Sequence, residues 1–343
     1  MQNPIFDKTQ LNSLFDELQK VKTILIFGHK SPDGDSIGST LALHHYLAKK
    51  GIKSQVIHPD GFPNFLKWMP ATDSILLFDK HKDQVTELIA KADVIFNLDY
   101  NEQSRVGRDL GELLVNSNAT KVMIDHHQQP DDFATYTFSD TNSCSTAQLV
   151  YEFIESNNDL ELLDETIGNC IYTGLLTDTG SFRFPSVTPK THLIAADLIS
   201  KGVIHSTIHE QLFDINTPER LKLLGYTLNN KLEVLPELNT AIISLTVKEM
   251  LDHKTQKGYT EGFVNTALSI FGVNLAVFVK EDTHIVKISF RSKGDIPVNE
   301  FSKLHFGGGG HINAAGGASK MSVEETVNKI KAELPAFLEQ LKN

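Results

Sequence analysis

The chain has 343 residues, 40% of them hydrophobic and 22% charged, which is enough for two domains with separate cores and argues against extensive disorder. Its formal net charge of −11 excludes a general phosphate-neutralising surface, and with it a grip on long duplex nucleic acid. No apolar run approaches the roughly 18–20 residues of a membrane span, so no membrane partner is expected.

The opening "MQNPIFDKTQLNSLFDELQK" lacks the basic start and apolar centre of a signal peptide. "TILIFG" (23–28) predicts a strand, and "DSIGSTLALHHYLAKKG" a helix that stops at Gly51. Further strands are predicted at "KSQVIHP", "DSILLF" (73–78), "DVIFNLD" (93–99) and "KVMID" (121–125). They are short and continuously apolar, the pattern of a parallel sheet covered by helices on both faces. "STAQLVYEFIESNN", with Ser145-Thr146 as its cap, and "LLDETIGNCIYTGLLTD" predict helices. Cys144 and Cys170 fall in interior-looking segments, so the expected setting is reducing and cytoplasmic, without disulfides.

From about 206 the texture changes. "TPERLKLLGYTLNNKL" predicts a connecting helix with Thr217 as cap and Pro218 as first residue. "TAIISLTV" and "NLAVFVKEDTHIVKISFRS" alternate as strands do, then come "FGGGGHINAAGG" and a terminal helix, "SVEETVNKIKAELPAFLEQLK". The expected fold class is α/β: a parallel-sheet domain over 1–205, a helical linker over 206–232, and a smaller α/β domain with a mixed sheet over 233–343. Residues 216–343 hold 15 Lys+Arg against 14 Asp+Glu, so the acid excess belongs to the first part.

In that first part, acid and imidazole groups fall just past the ends of apolar runs: His29, Asp33 and Asp35 after "TILIFG", Asp99 after "VIFNL", Asp125-His126-His127 after "KVMI", and Asp178 after "IYTGLLT". The carboxyl ends of parallel strands share one edge, so residues scattered over 150 positions can converge there. Carboxylates packed so closely repel one another and take up protons unless cations offset them. Four Asp would balance two divalent cations, and mixed imidazole and carboxylate ligation suits Mn²⁺, Fe²⁺ or Co²⁺ better than Mg²⁺.

"GHKSPDGDSIGS", "NLDYN", "MIDHHQ" and "YTGLLTDTGSFRF" resemble the four motifs of the DHH phosphoesterase superfamily, in its order and spacing. "ISFRS" and "FGGGGHINAAGG" resemble the DHH-associated C-terminal domain of its bacterial oligoribonuclease and pAp-phosphatase (nanoRNase) branch. The resemblance implies two metal ions, expected to be Mn²⁺. One would be held by His29, Asp33 and Asp99, the other by Asp35, Asp99, His126 and Asp178, with a water between them attacking phosphorus. It implies that His127 donates to the phosphate or assists the leaving oxygen, that Asp125 orients a histidine, and that the active site lies in the interdomain cleft. The implied substrates are dinucleotides and other very short single-stranded RNA, with the 3′-phosphate of adenosine 3′,5′-bisphosphate as a second target. Whether the chain forms a homodimer is left open.

The glycine stretch adds to this. Gly308, Gly309 and Gly310 let the backbone approach a ligand, and their N–H groups can face an anion. His311 offers a donor, a helix starting near it would present its positive end, and Arg291 ends a strand nearby. Arg105, just after Asp99, is placed to reach a phosphate. Each residue also has a plainer reading: Asp35 as a helix cap, the glycines as a linker, the two arginines as surface cations. The rival functions are a DHH-type inorganic pyrophosphatase, which would need clustered cations in its second domain, and a non-catalytic nucleotide sensor, which has no use for two metals. His44-His45 point apart on a helix, and His205 and His209 lack a zincin glutamate between them, so neither pair is expected to bind metal.

Overall fold

The computed structural model describes residues 5–256 and 258–341. The chain divides into two compact units, Met1–Ile215 and Asn216–Asn343. In the first, α1 (Lys8–Leu18) precedes β1 (Ile24–Phe27), α2 (Gly34–Lys49), β2 (Gln55–His58) and β3 (Leu76–Leu77). Then come α3 (Lys82–Ala90), β4 (Val94–Leu98), α4 (Arg108–Val115), β5 (Thr120–Asp125) and β6 (Tyr136–Ser139). The unit ends on α5 (Thr146–Ser156), α6 (Glu165–Asp178), α7 (Pro189–Ser200) and α8 (His205–Phe213).

These strands pair in parallel in the order β3-β2-β1-β4-β5-β6. The chain winds outward one way from β1 and then the other way from β4, so the carboxyl ends of those two strands flank the switch point where a crevice opens. The unbroken apolar strands follow from burial on both faces. In β1, Ile24 and Ile26 join the core formed with α2, α5 and α6, while Leu25 and Phe27 join the one formed with α3 and α4. Helix α2 is buried along most of its length and packs tightly against α6, which is why neither reads as a simple amphipathic stripe. "DSILLF" yields only the two-residue edge strand β3, because Thr72–Ser74 winds into a 3₁₀ turn first. Strand β6, not anticipated from sequence, forms the opposite edge.

The second unit contains α9 (Pro218–Asn230), β7 (Leu232–Leu235), β8 (Thr240–Leu245), α10 (Val247–Asp252), α11 (Phe263–Leu268), β9 (Leu275–Glu281) and β10 (Val286–Ser292). It continues with α12 (Val298–Phe306), β11 (Gly309–His311), β12 (Ala314–Ser319) and α13 (Val323–Gln340). Thr217 caps α9 by accepting from the Arg220 N–H, with Pro218 behind it as expected. The sheet is mixed, in the order β11-β12-β10-β9-β8-β7, with β8 and β9 parallel and the other pairs antiparallel. Helices α12 and α13 pack on one face through Phe301, Phe306, Ile330 and Leu334, and α9 and α11 pack on the other through Leu223 and Phe263. Among the described residues no helix is long and apolar enough to cross a membrane. Cys144 and Cys170 are both buried and free.

Candidate functional site

Three acid and imidazole segments leave the sheet at its carboxyl edge, around the switch point. His29, Asp33 and Asp35 follow β1, Asp99 follows β4, and Asp125 ends β5 with His126 and His127 behind it. Asp178 arrives by another route. It is the last residue of α6, not the end of a strand, and it meets the others because α6 lies against α2.

Asp99 occupies the centre. It is buried, takes a left-handed backbone (φ +63°), and donates its N–H to the Ile124 carbonyl at 3.1 Å. That conformation costs a non-glycine residue about 1–3 kcal/mol, a strain the surrounding structure must hold in place. Its Oδ2 lies 3.3 Å from His29 Nε2 and its Oδ1 3.6 Å from His126 Nε2. Asp33 Oδ1 is 3.8 Å from the same His29 nitrogen. On the other side, His126 Nε2 lies 3.2 Å from Asp178 Oδ2 and 3.9 Å from Asp35 Oδ2. The ligand atoms of His29, Asp33 and Asp99 fall within 4.8 Å of one another, and so do those of Asp35, Asp99 and His126.

The histidine tautomers follow from their outer contacts. A backbone carbonyl can only accept, so His29 Nδ1–H donates to Lys30 O at 2.9 Å and His126 Nδ1–H to Ser143 O at 3.2 Å. Each ring therefore turns Nε2 towards the carboxylates, the orientation in which an imidazole ligates a cation.

Two helix starts stabilise the acids. Asp33 caps α2, accepting from Asp35 N–H at 3.1 Å and Ser36 N–H at 3.0 Å. Asp35, the residue whose plainer reading was a cap, instead accepts from Thr146 N–H at 2.6 Å and Ala147 N–H at 2.8 Å in the first turn of α5. Gly174 makes room for it, since a Cβ there would stand 2.6 Å from Asp35 Oδ1. Ser145 alone caps α5, while the Thr146 hydroxyl donates to Asp99 Oδ1 at 3.0 Å. Sequence reasoning missed that contact. Its only trace is a second hydroxyl residue directly after one that already satisfies the cap.

Electrostatics mark the cluster as short of positive charge. Burial raises the Asp35 pKa well above the carboxylate range, and the charges of Asp99 and Asp178 raise it further. Burial raises Asp178 too, against the pull of His126. Burial also opposes a proton on His29 and His126, yet the neighbouring carboxylates lift both well above the ordinary imidazole value. Asp99 is held below the carboxylate range: burial would raise it, but His29 and then His127 and His126 overcome that. Protons thus stand where cations would, and the mixed nitrogen and oxygen donors fit a borderline divalent metal.

Asp125 is fully buried, and both its oxygens accept from His127, from Nδ1–H at 2.7 Å and from the backbone N–H at 3.1 Å. Arg105 lies in a 3₁₀ turn beside the β1 loop, its carbonyl accepting from Lys30 N–H at 2.9 Å. Its Nε is buried with no hydrogen-bond partner among the described residues. The discounted histidines bond elsewhere: His44 to Ser54, and His209 to the His205 carbonyl and Ser181.

In the second unit the glycine stretch is a hairpin. No helix begins at His311: α12 ends at Phe306, before the glycines, and His311 itself closes the strand β11. The register aligns Arg291 with Ala314, and Ala314 with His311, in one row across β10, β12 and β11. Opposed residues share a face, so Arg291 and His311 stand on the same side about 10 Å apart. The next row is Ser289, Gly316 and Gly309. A Cβ at Gly309 would meet nothing within 4 Å, whereas at Gly308 it would lie 1.9 Å from the Gly316 carbonyl and at Gly310 2.4 Å from that of Ala314. Gly308 and Gly310 are therefore glycine for the hairpin, and Gly309 with Gly316 leaves a bare shelf beside the row that holds Arg291 and His311.

Residues 23–175 match the family described as "DHH family, N-terminal domain", and residues 239–340 match the DHHA1 domain. The chain is 30% identical, over 91% of its length and 90% of the other protein, to the bifunctional oligoribonuclease and PAP phosphatase NrnA of Thermus thermophilus. It superposes with a TM-score of 0.94 and 38% identity on an exopolyphosphatase-related protein from Bacteroides fragilis, covering 98% of each. The fold alone is shared with RecJ from Thermus thermophilus, solved in complex with Mn²⁺, at a TM-score of 0.54 and 13% identity over 97% of this chain and 54% of that one.

Proposed function

The chain belongs to the DHH family of phosphoesterases, and on that premise we propose that it hydrolyses very short oligoribonucleotides, dinucleotides above all, and removes the 3′-phosphate of adenosine 3′,5′-bisphosphate. The observation that carries this reading is Asp99, placed so that one carboxylate oxygen faces each of two histidine-centred acid groups. His29, Asp33 and Asp99 would hold one divalent cation, and Asp35, Asp99, His126 and Asp178 a second, with Mn²⁺ matching the donors. When bound, such a pair supplies positive charge at phosphorus and a lowered pKa for the attacking water.

The remaining residues bind and steer. Arg105, whose buried Nε has no hydrogen-bond partner among the described residues, would offset the charge of the scissile phosphate. His127, its Nδ1–H fixed by Asp125, would use Nε2 to assist the leaving oxygen or donate to the phosphate. The Arg291 and His311 row, with its bare Gly309 and Gly316 shelf, would take the distal nucleotide: a cation for phosphate, a donor for sugar or base, flat backbone beside them. A single cation beside one donor suits short substrates, and the acidic first unit repels long ones. The buried free thiols fit a reducing compartment such as the cytoplasm.

The test is a Mn²⁺-supplemented assay of 5′-labelled pApA, adenosine 3′,5′-bisphosphate and pyrophosphate side by side. Turnover is expected for the first two, and preferential cleavage of pyrophosphate would replace this reading with the pyrophosphatase one. In the same assay His311→Ala is expected to raise KM for pApA about tenfold, the equivalent of one hydrogen bond to a charged or polar partner, with kcat little changed. An unchanged KM removes His311 from the substrate site.

The protons on the cluster predict the pH dependence of metal binding. His29, His126, Asp35 and Asp178 all have raised pKa values, so each holds a proton to higher pH than usual and must shed it to ligate. Mn²⁺ affinity is therefore expected to climb as pH rises through and above the ordinary imidazole range, with net proton release on binding. Calorimetry in buffers of different ionisation enthalpy measures both, and pH-independent affinity without proton release would contradict the assignment.

A further inference from the structure

We propose that Thr146 is a positioning residue that divides the Asp99 carboxylate between the two cation groups, making the first turn of α5 part of the metal centre; this rests on the reading that Asp99 bridges. A carboxylate at the end of a short side chain turns easily about its last torsion, because that well is broad. Left to itself, the Asp99 group could swing both oxygens to one histidine and serve a single cation. The observed setting, Oδ2 towards His29 and Oδ1 towards His126, therefore needs a restraint.

Thr146 supplies it. Its side chain is fully buried, and its Oγ1–H reaches Asp99 Oδ1 at 3.0 Å. A carboxylate oxygen has two lone pairs, so this donor occupies one and leaves the other for the His126 side. Two buried threonines within helices of the unit satisfy their hydroxyls on the preceding turn, Thr40 on Ser36 O and Thr173 on Asn169 O. Thr146, at the first helical position, has no carbonyl a turn behind it within α5, and its hydroxyl crosses to another strand's acid instead.

The anchor is itself tied down by hydrogen bonds. Ser145 caps the helix through Gln148 N–H, and the N–H groups of Thr146 and Ala147 grip the two oxygens of Asp35. One helix start therefore fixes an acid from the β1 loop and an acid from β4 relative to each other. Its positive end also offsets their repulsion before any cation enters.

Thr146→Val removes the hydroxyl while keeping the shape and the backbone N–H that holds Asp35; Thr146→Ser restores the donor. Mn²⁺ titration by calorimetry, with electron paramagnetic resonance of the loaded protein, reads the result without any turnover. The wild type and Thr146→Ser are expected to bind two ions with the spectrum of a coupled pair. Thr146→Val is expected to keep the affinity of one ion and to weaken the other about tenfold or more, within the span for a residue behind a ligand, giving the spectrum of isolated Mn²⁺. Thr146→Ala, measured alongside with a thermal melt of each variant, is expected to give the same result as Val and guards against a folding defect peculiar to Val. Two ions bound by Val and Ala with unchanged affinity and coupling overturn the assignment of Thr146 alone. A wild type that binds a single ion overturns the bridged centre, and this inference with it.

Discussion

Asp99→Asn is expected to abolish turnover of every substrate while leaving the fold in place. Asparagine is the informative replacement. It is among the few non-glycine residues that accept the left-handed backbone found at Asp99 (φ +63°), and its amide oxygen can still accept from Thr146. Alanine would confound lost charge with added backbone strain. What asparagine removes is the negative charge common to both cation groups, and one of the two oxygens that face them. The loss should be at least about 4 kcal/mol of transition-state stabilisation, roughly 10³-fold in kcat/KM, since metal charge worth several kcal/mol is no longer held in register. Mn²⁺ affinity should fall at both positions together, which distinguishes a shared ligand from one that serves a single ion. Kinetics over a wide Mn²⁺ range and a circular-dichroism melt check both halves: activity restored by excess Mn²⁺, or weakening of one ion only, would mean that Asp99 does not bridge.

The site was legible in the sequence to the extent that it is built from strand ends. His29, Asp99 and Asp125-His126 each follow an unbroken apolar run, and a parallel sheet brings such ends to one edge whatever the strand order. The order itself left no local signal, because which strand neighbours which is decided by crossovers and not by composition. The position of the switch between β1 and β4 was therefore invisible. Asp178 was legible as the end of a predicted helix, as α6 shows, but nothing local marked that helix as lying against α2, which is what brings its last residue to the strand ends. Thr146 was hidden behind Ser145, because one cap residue explains the helix start and nothing marks the next hydroxyl as turned elsewhere. The glycine stretch was read for the chemistry of its backbone, but a strand of Gly and Ala has almost no β propensity to betray it. It becomes a hairpin only through pairing with β10, and the row that places Arg291 and His311 on one face exists only in that register.

The same distinction between a residue and its setting governs Asp125→Asn, expected to lower kcat on dinucleotides by roughly 10²-fold, at the top of the span for the partner of a functional histidine, with metal content unchanged. The buried carboxylate accepts twice from His127, at the ring Nδ1–H and at the backbone N–H. An amide can accept only once at those two positions. If its oxygen stays with the backbone, its NH₂ confronts Nδ1 and inverts the tautomer; if the oxygen goes to the ring, the NH₂ meets the backbone N–H. Either way one of the two bonds that hold the His127 ring in place is lost. The consequence should depend on the leaving group. A ribose oxygen departs poorly without a proton, whereas p-nitrophenolate leaves unaided, so the defect should shrink to less than about tenfold on bis-p-nitrophenyl phosphate. A defect of equal size on both substrates would instead assign His127 to the charge on the phosphate. No defect on either would reduce the Asp125 and His127 pair to a structural contact at the end of β5.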